Sequence, residues 1–494
     1  MYSLGIDLGS SSVKVSILNI DTGKSEGSST FPKTEMEIIA PHKGWAEQHP
    51  QIWWENTCLA IREVLKKSKV SGNNIAAIGI AYQMHGLVVV DKNLETLRPS
   101  IIWCDSRAVE TGERLFEKAG KTRTLASLLN SPGNFTLSKL LWVQENEPGV
   151  FGKIYKFMLP GDYIAMKLSG EIQTTPSGLS EGIMWDFAND EPAEFLFDEA
   201  GIDTVLIPAI APNFGIQSRL CGRAASDLGL APGIPIAYRA GDQPNNAFAL
   251  GLLNPGEAAA NAGTSGVVYG VSEQVKFDPM SRVNTFAHVN HHSRQIRMGV
   301  LLCINGTGIA NSWLRRLTGA ASFEAMNEAA WQVPPGSGDL LFLPFGNGAE
   351  RMLGNRFASA GLCNLDFTRH GQGHVYRAVQ EGIACAFKYG MDIMHETGVD
   401  VNVIRAGKAN LFLSEVFTQS LSALTGAEIH LFDTDGSLGA ARGAALGAGL
   451  YSSEEECFSV LQRIRSFTPS CQKTNRYNEL YEQWKLALQK SIEP

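Results

Sequence analysis

One kind of segment occurs twice in this chain, and it restricts the fold more than any other feature. Near the start, Leu4-Gly5-Ile6-Asp7-Leu8-Gly9-Ser10-Ser11-Ser12-Val13-Lys14-Val15-Ser16-Ile17-Leu18 reads as two apolar strands around a turn of glycine and serines. Past the midpoint, Glu257-Ala258-Ala259-Ala260-Asn261-Ala262-Gly263-Thr264-Ser265-Gly266-Val267-Val268-Tyr269-Gly270-Val271 gives strand, Gly/Thr/Ser turn and strand again. Such a turn offers backbone N–H groups and hydroxyls, the donors an anionic phosphate needs. Two hairpins, one opening each half, point to a divergent duplication. They predict two α/β domains that hold a nucleotide from both sides of a cleft.

The chain has 494 residues, long enough for two domains, divided here at 1–246 and 247–494. A net charge of -8 argues against a nucleic-acid partner. Eight scattered cysteines form no CxxC pair and read as reduced thiols, not a disulfide frame or zinc site. The first residues carry no charged, apolar leader, and no apolar run reaches the ~18 residues of a membrane span. A cytoplasmic protein without membrane contact is the expectation.

Between the hairpins, Arg239-Ala240-Gly241-Asp242-Gln243-Pro244-Asn245-Asn246 stands at the tip of a strand expected over 234–238, with a small-residue helix over 247–252. A lone carboxylate at a strand end, flanked by amides, is placed to accept a proton from a substrate. Taken alone, it reads more readily as a helix cap. Asp7 closes the first strand beside its turn, where a carboxylate could hold Mg²⁺. Lys14 could add a point charge or simply be solvated. A helix is expected over 51–67 and a strand over 75–81, ending in Tyr82-Gln83-Met84-His85-Gly86, a polar loop of the kind that lines sugar sites. A strand over 100–103 is followed by Asp105, which caps the next helix or binds a hydroxyl. Residues 191–233 read as a small subsidiary region. In the second half, a long helix is expected over 375–395, a strand with a glycine turn over 403–410, and a helix of small residues over 436–447. The tail from Ser452 on reads as two polar amphipathic helices with a solvated charged face, and Ser453 with Glu456 could form a capping box.

Four of these segments, in order, resemble the FGGY carbohydrate kinases, and among them the xylulokinases: Gly5-Ile6-Asp7-Leu8-Gly9-Ser10-Ser11-Ser12-Val13-Lys14, Gln83-Met84-His85-Gly86, Gly241-Asp242 and Gly263-Thr264-Ser265-Gly266. The resemblance implies two ribonuclease-H-like domains of the actin-like ATPase type. It implies ATP-dependent phosphorylation of a ketose at its terminal hydroxyl, D-xylulose giving D-xylulose 5-phosphate. Ribulose, sedoheptulose or a polyol remain alternative substrates, and a non-catalytic sugar sensor remains an alternative function. In that reading Asp242 is the general base and Asp7 helps place Mg²⁺. Gln83, Met84, His85, Trp103, Asp105, Asp242 and Gln243 meet the sugar. Gly9, Ser10, Ser11, Ser12, Lys14, Gly263, Thr264 and Ser265 hold phosphates, and Gly407 and Lys408 lie near adenosine. A homodimer is an option the resemblance leaves open. Three places depart from the family pattern. Gln243 replaces an asparagine after the catalytic aspartate. Gly348-Ala349-Glu350-Arg351-Met352 carries an inserted residue and lacks Thr-Pro. A multi-glycine loop is reduced to Ala406-Gly407-Lys408-Ala409.

Overall fold

Strand β1 (Tyr2–Leu8) pairs antiparallel with β2 (Val13–Asn19), and Asp7 faces Lys14 across the ladder. β2 continues into β3 (Ser25–Phe31), while β4 (Ile75–Tyr82) returns parallel to β1. β5 (Phe214–Arg219) and β6 (Pro235–Gly241) complete a six-stranded sheet in the order β5-β6-β4-β1-β2-β3. β6 runs parallel to β4, and β5 antiparallel to β6. The computed structural model describes residues 1–492 and divides into two compact units. Unit 1 comprises Met1–Leu253, Phe286–Met298 and Thr434–Leu461, and unit 2 comprises Asn254–Thr285, Gly299–Asp433 and Gln462–Pro494. The first segment of unit 1 ends at Leu253, and five further segments then alternate between the units, two of them belonging to unit 1.

Side-chain size alternates along the inner strands of unit 1. Leu4, Ile6 and Leu8 of β1, with Ile78, Ile80 and Tyr82 of β4, enter one core together with Trp53, Ile61 and Val64 of the helix Pro50–Ser68. The opposite face carries Gly5, Ala77, Gly79 and Ala81. Against it packs the helix Gly436–Gly447, contributing Ala440, Ala444 and Ala445 to a second core. The approach is backbone to backbone. A Cβ added at Gly5 would lie 1.9 Å from Ser437 O, and one at Gly79 would lie 2.0 Å from Ala440 O. The helix contributes the same absence: a Cβ at Gly443 would lie 2.5 Å from the Tyr238 ring, and one at Gly447 would lie 1.9 Å from Ala237 O. The small-residue segment is thus a packing helix of unit 1, delivered from the far end of the chain.

Unit 2 reuses the plan. β7 (Gly256–Ala262) and β8 (Gly266–Ser272) form the second hairpin, followed by β9 (Met298–Ile304), β10 (Val401–Gly407), β11 (Glu428–Phe432) and β12 (Arg463–Phe467). Their order is β9-β8-β7-β10-β11-β12, with β7, β10 and β11 parallel and β12 antiparallel to β11. The arrangement of hairpin, parallel neighbours and antiparallel edge is that of unit 1, as a duplication predicts. The long helix Gln372–Glu396 fills the core with Ile383, Ala384, Ala386 and Phe387.

Several local expectations are corrected. The 191–233 region is not subsidiary, because β5 within it is an edge of the main sheet. The strand expected over 100–103 is only Ser100–Ile101. The helix after β6 starts at Asp242, not at 247, and spans Asp242–Ala249. In the tail, β12 joins the sheet of unit 2, a strand the sequence reading lacked, while the helix Cys471–Ile492 buries Tyr477 and Trp484 as an amphipathic helix does. Ser453 caps Glu456 N–H at 3.2 Å, but the Glu456 carboxylate turns to Ser452, so the capping box is half formed. Every cysteine with a described side chain is a free thiol.

Because the strand–helix approach leaves no room for a side chain, Gly79→Val is expected to destabilise the protein by about 3 kcal/mol or more. Denaturant unfolding measures this, and a surface control such as Gly149→Ala, where an added Cβ meets nothing within 4 Å, should change stability little.

Candidate active site

The parallel strands of unit 1 end in register. Leu8 pairs with Tyr82, and Gly241 pairs with the same Tyr82. The Gly9 turn, the loop 83–86 and Asp242 therefore emerge side by side at one sheet edge, where open α/β sheets bind ligands. The turn is held by its carbonyls. Gly9 N–H donates to Ser12 O at 3.0 Å, Gln48 Nε2 donates to Ser10 O at 2.7 Å, and Met36 N–H donates to Ser11 O at 2.8 Å. In a trans peptide the N–H points opposite to the carbonyl, so the N–H groups of Ser11 and Ser12 turn away from these partners. Trp103, 52% exposed, reaches the same turn, its Nε1 lying 3.4 Å from Ser10 Oγ.

Asp242 is the first residue of its helix; Gly241 holds the cap position, so the helix-cap reading fails. Burial, reinforced by the charge of Asp7, pushes the Asp242 carboxyl up to about 7, although Gln243 bonds to it. Asp7 is pushed up to about 6 by burial and then by Asp435, with Lys14 opposing. Asp435 caps the helix Gly436–Gly447 by accepting Leu438 N–H at 3.0 Å, and it pairs with Lys14 Nζ at 2.7 Å. Lys14 thus has a carboxylate partner, and Asp435 joins the site without having been singled out in the sequence. Its signal was a helix-cap pattern, Asp435 before Gly436-Ser437. Asn245 Nδ2 holds Gly436 O at 2.8 Å. Among the described residues no three His, Cys, Asp or Glu side chains gather as a metal cage. The carboxylates here suit Mg²⁺, which binds through one or two carboxylates and completes its shell with water and phosphate oxygens.

The loop 83–86 is built from buried groups. Gln83 donates to Gln48 Oε1 at 3.3 Å, and its own Oε1 is buried without a partner, an acceptor suited to a hydroxyl. Met84 packs against Gly241, where a Cβ would lie 2.5 Å from Met84 Cγ and 2.3 Å from Glu181 Oε2. His85 Nδ1 lies 2.9 Å from Glu181 O. Lys139 Nζ donates to His85 O at 2.7 Å, so Glu181 and Lys139 both belong to this loop's surroundings, and neither carried a readable sequence signal. Asp105 is fully buried. Arg107 grips both its oxygens, Ala46 N–H donates to it, and the following helix is capped at Ala108 without side-chain help. It is not a helix cap.

In unit 2 the second turn is also tied by its carbonyls. Gly308 N–H donates to Gly263 O at 2.8 Å, and Ile309 N–H donates to Thr264 O at 3.0 Å. The N–H groups of Thr264 and Ser265 therefore turn outward, as in the first turn. The carboxyl of Glu350, fully buried and pushed up to about 7 by burial, accepts Asn305 N–H at 3.1 Å and braces this loop. Gly407 ends β10, and Lys408 is exposed, its N–H donating to Phe432 O at 3.0 Å. A cavity of about 270 Å³ opens beside the second turn, lined by Ile309, Ala310, Trp313, Arg316, Pro344 and Asn347. It is not legible in the sequence, since its walls come from separate segments.

Residues 2–249 match the family model "FGGY family of carbohydrate kinases, N-terminal domain", and residues 258–450 match its C-terminal domain. The chain is 30% identical to a xylulose kinase of Escherichia coli over 100% of its own length and 99% of the relative's. It is 31% identical to a xylulose kinase of Klebsiella pneumoniae over 90% and 89%. The solved xylulose kinase of Rhodospirillum rubrum is 25% identical, with a TM-score of 0.88 over 99% of both chains. These neighbours share the actin-like ATPase fold of two ribonuclease-H-like domains.

The raised carboxyls at the strand tips set a pH dependence of stability. The unfolded value is 3.8 and the folded values are about 6 and 7, so the folded state holds more protons between them. Stability therefore falls as pH rises from about 4 to about 7. Asp7→Asn and Asp242→Asn are expected to melt at higher temperature than the parent at pH 8, the gap closing near pH 4; thermal unfolding across that range, without ligands, measures it.

Proposed function

The chain belongs to the FGGY family of carbohydrate kinases and is an ATP-dependent sugar kinase, and from that premise we propose that it phosphorylates the terminal hydroxyl of D-xylulose with Asp242 as general base. The observation that carries this is the Asp242 carboxyl, set at the tip of β6 beside the loop 83–86 and pushed up to about 7. A base with that affinity is matched to proton transfer near neutral pH. The xylulose kinase relatives support the choice of ketose.

In this reading Gln83, Met84, His85 and Trp103 line the sugar pocket, and Gln243 orients the base. Asp242 takes the hydroxyl proton as the sugar oxygen attacks the γ-phosphorus, while the bond from that phosphorus to the β–γ bridging oxygen breaks and ADP leaves. The outward N–H groups of Ser11, Ser12, Thr264 and Ser265 receive phosphate oxygens, with no reorganisation needed at the moment of reaction. Asp7 would hold Mg²⁺, which would supply charge neutralisation for the phosphates. The adenine base occupies the cavity beside Ile309, with Gly407 and Lys408 toward the ribose. Asp105, gripped by Arg107, shapes the pocket wall.

ADP release with D-xylulose, ATP and Mg²⁺ tests the base. Asp242→Ala is expected to lose ~10²–10⁴ in kcat; equal activity of parent and variant would end the assignment. A panel of xylulose, ribulose, sedoheptulose and polyols, ranked by kcat/KM, should place D-xylulose first. For the cavity, Ala310→Trp is expected to raise KM for ATP by about tenfold or more while the sugar still raises the melting temperature as in the parent.

A further inference from the structure

His85 has a backbone conformation that needs support. Its φ is +63, in the left-handed region that a non-glycine residue rarely occupies. Two buried ionisable side chains hold it from opposite ends. Its N–H donates to Glu181 Oε1 at 3.3 Å, and its carbonyl accepts Lys139 Nζ at 2.7 Å. Lys139 also donates to Ile102 O at 3.1 Å, tying the start of the Trp103 segment to the same ammonium. Lys139 is 0% exposed and Glu181 1% exposed. The ring is fixed as well. Nδ1 lies 2.9 Å from Glu181 O, a carbonyl that only accepts, so Nδ1 carries a proton and donates. Phe135 meets the ring edge-on at 4.7 Å between centroids, and Phe286 lies at 5.6 Å.

We infer that Lys139 and Glu181 are positioning residues for the sugar: together they clamp the His85 peptide and the Ile102 carbonyl, and so fix the orientation of His85 and Trp103 toward the bound ketose. The inference rests on the reading that residues 83–86 line the sugar pocket. Burying a lysine among backbone carbonyls is unfavourable, and burial draws its ammonium down to about 7. A methionine would fill the same space without that penalty. What the lysine adds is a directed pair of hydrogen bonds to two loop carbonyls. Burial likewise pushes the Glu181 carboxyl upward, so it needs only an acceptor oxygen to hold His85 N–H, which glutamine also provides.

Steady-state kinetics with D-xylulose and ATP, beside melting temperatures, test this in the full chain. Lys139→Met and Glu181→Leu are expected to raise KM for the sugar at least about fivefold, as loss of a buried hydrogen bond predicts, and to leave KM for ATP within about twofold. Glu181→Gln should stay near the parent, since its amide oxygen still accepts from His85. If both disruptive variants lose melting temperature while KM for the sugar is unchanged, the clamp is structural only and the inference is overturned. Should Lys139→Met fail to fold, the Glu181→Leu and Glu181→Gln pair decides alone. His85→Ala separates the two levels. An unchanged sugar KM there overturns the sugar-pocket reading itself; a raised KM with unaffected clamp variants overturns only the inference.

Discussion

The structure of unit 1 depends on the close approach of the helix Gly436–Gly447 to β1, β4 and β6. Gly5 and Gly79 on the sheet face backbone atoms of Ser437 and Ala440, while Gly443 and Gly447 on the helix face Tyr238 and Ala237. At Gly5, Gly79 and Gly447 the main chains meet directly, and at Gly443 the helix backbone meets the Tyr238 ring, so dispersion contacts form at close range. That depth of packing places the helix N-terminus at the strand tips. A Cβ on Gly436 would lie 2.3 Å from Asp7 Oδ2. The cap residue Asp435 and its partner Lys14 consequently stand in the Asp7 neighbourhood, although more than four hundred residues separate Lys14 from Asp435 along the chain (|i−j| 421).

The same convergence concentrates negative charge. Asp7, Asp242 and Glu181 are all pushed upward by burial, and each also senses another carboxylate. For folding alone, this is unfavourable. Proteins retain such conflicts where function requires them. Under the proposed function, a substrate rich in hydroxyls and a phosphate-bound cation would both relieve it.

The two hairpin turns reach a common result by different local means. In unit 1, a glutamine side chain and a distant backbone N–H hold the Ser10 and Ser11 carbonyls. In unit 2, the first N–H groups of the helix Gly308–Thr318 hold Gly263 and Thr264. Both fix the peptide planes with N–H groups outward. The repeated element is thus an orientation of peptide groups, and the supporting residues are free to differ.

Much of this was legible in the sequence. The Ile/Ala alternation of β4, with Gly79 in its middle, gives the strand and its two unlike faces, because side chains alternate across a sheet. The repeated hairpins disclose the duplication, and Asp7, Asp242 and residues 83–86 are visible as polar groups at strand ends. All of these are local patterns, and local stereochemistry decides them. Tertiary structure alone decided that the helix Gly436–Gly447 packs in unit 1, that Asp435 and Lys14 pair, that Asp105 is consumed by Arg107, and that Lys139 and Glu181 grip His85. Each joins segments far apart in the chain, through side chains whose spacing along it carries no period. The raised carboxyls belong there too: a carboxylate's proton affinity depends on the burial and the charges around it, and a sequence does not contain them until it is folded.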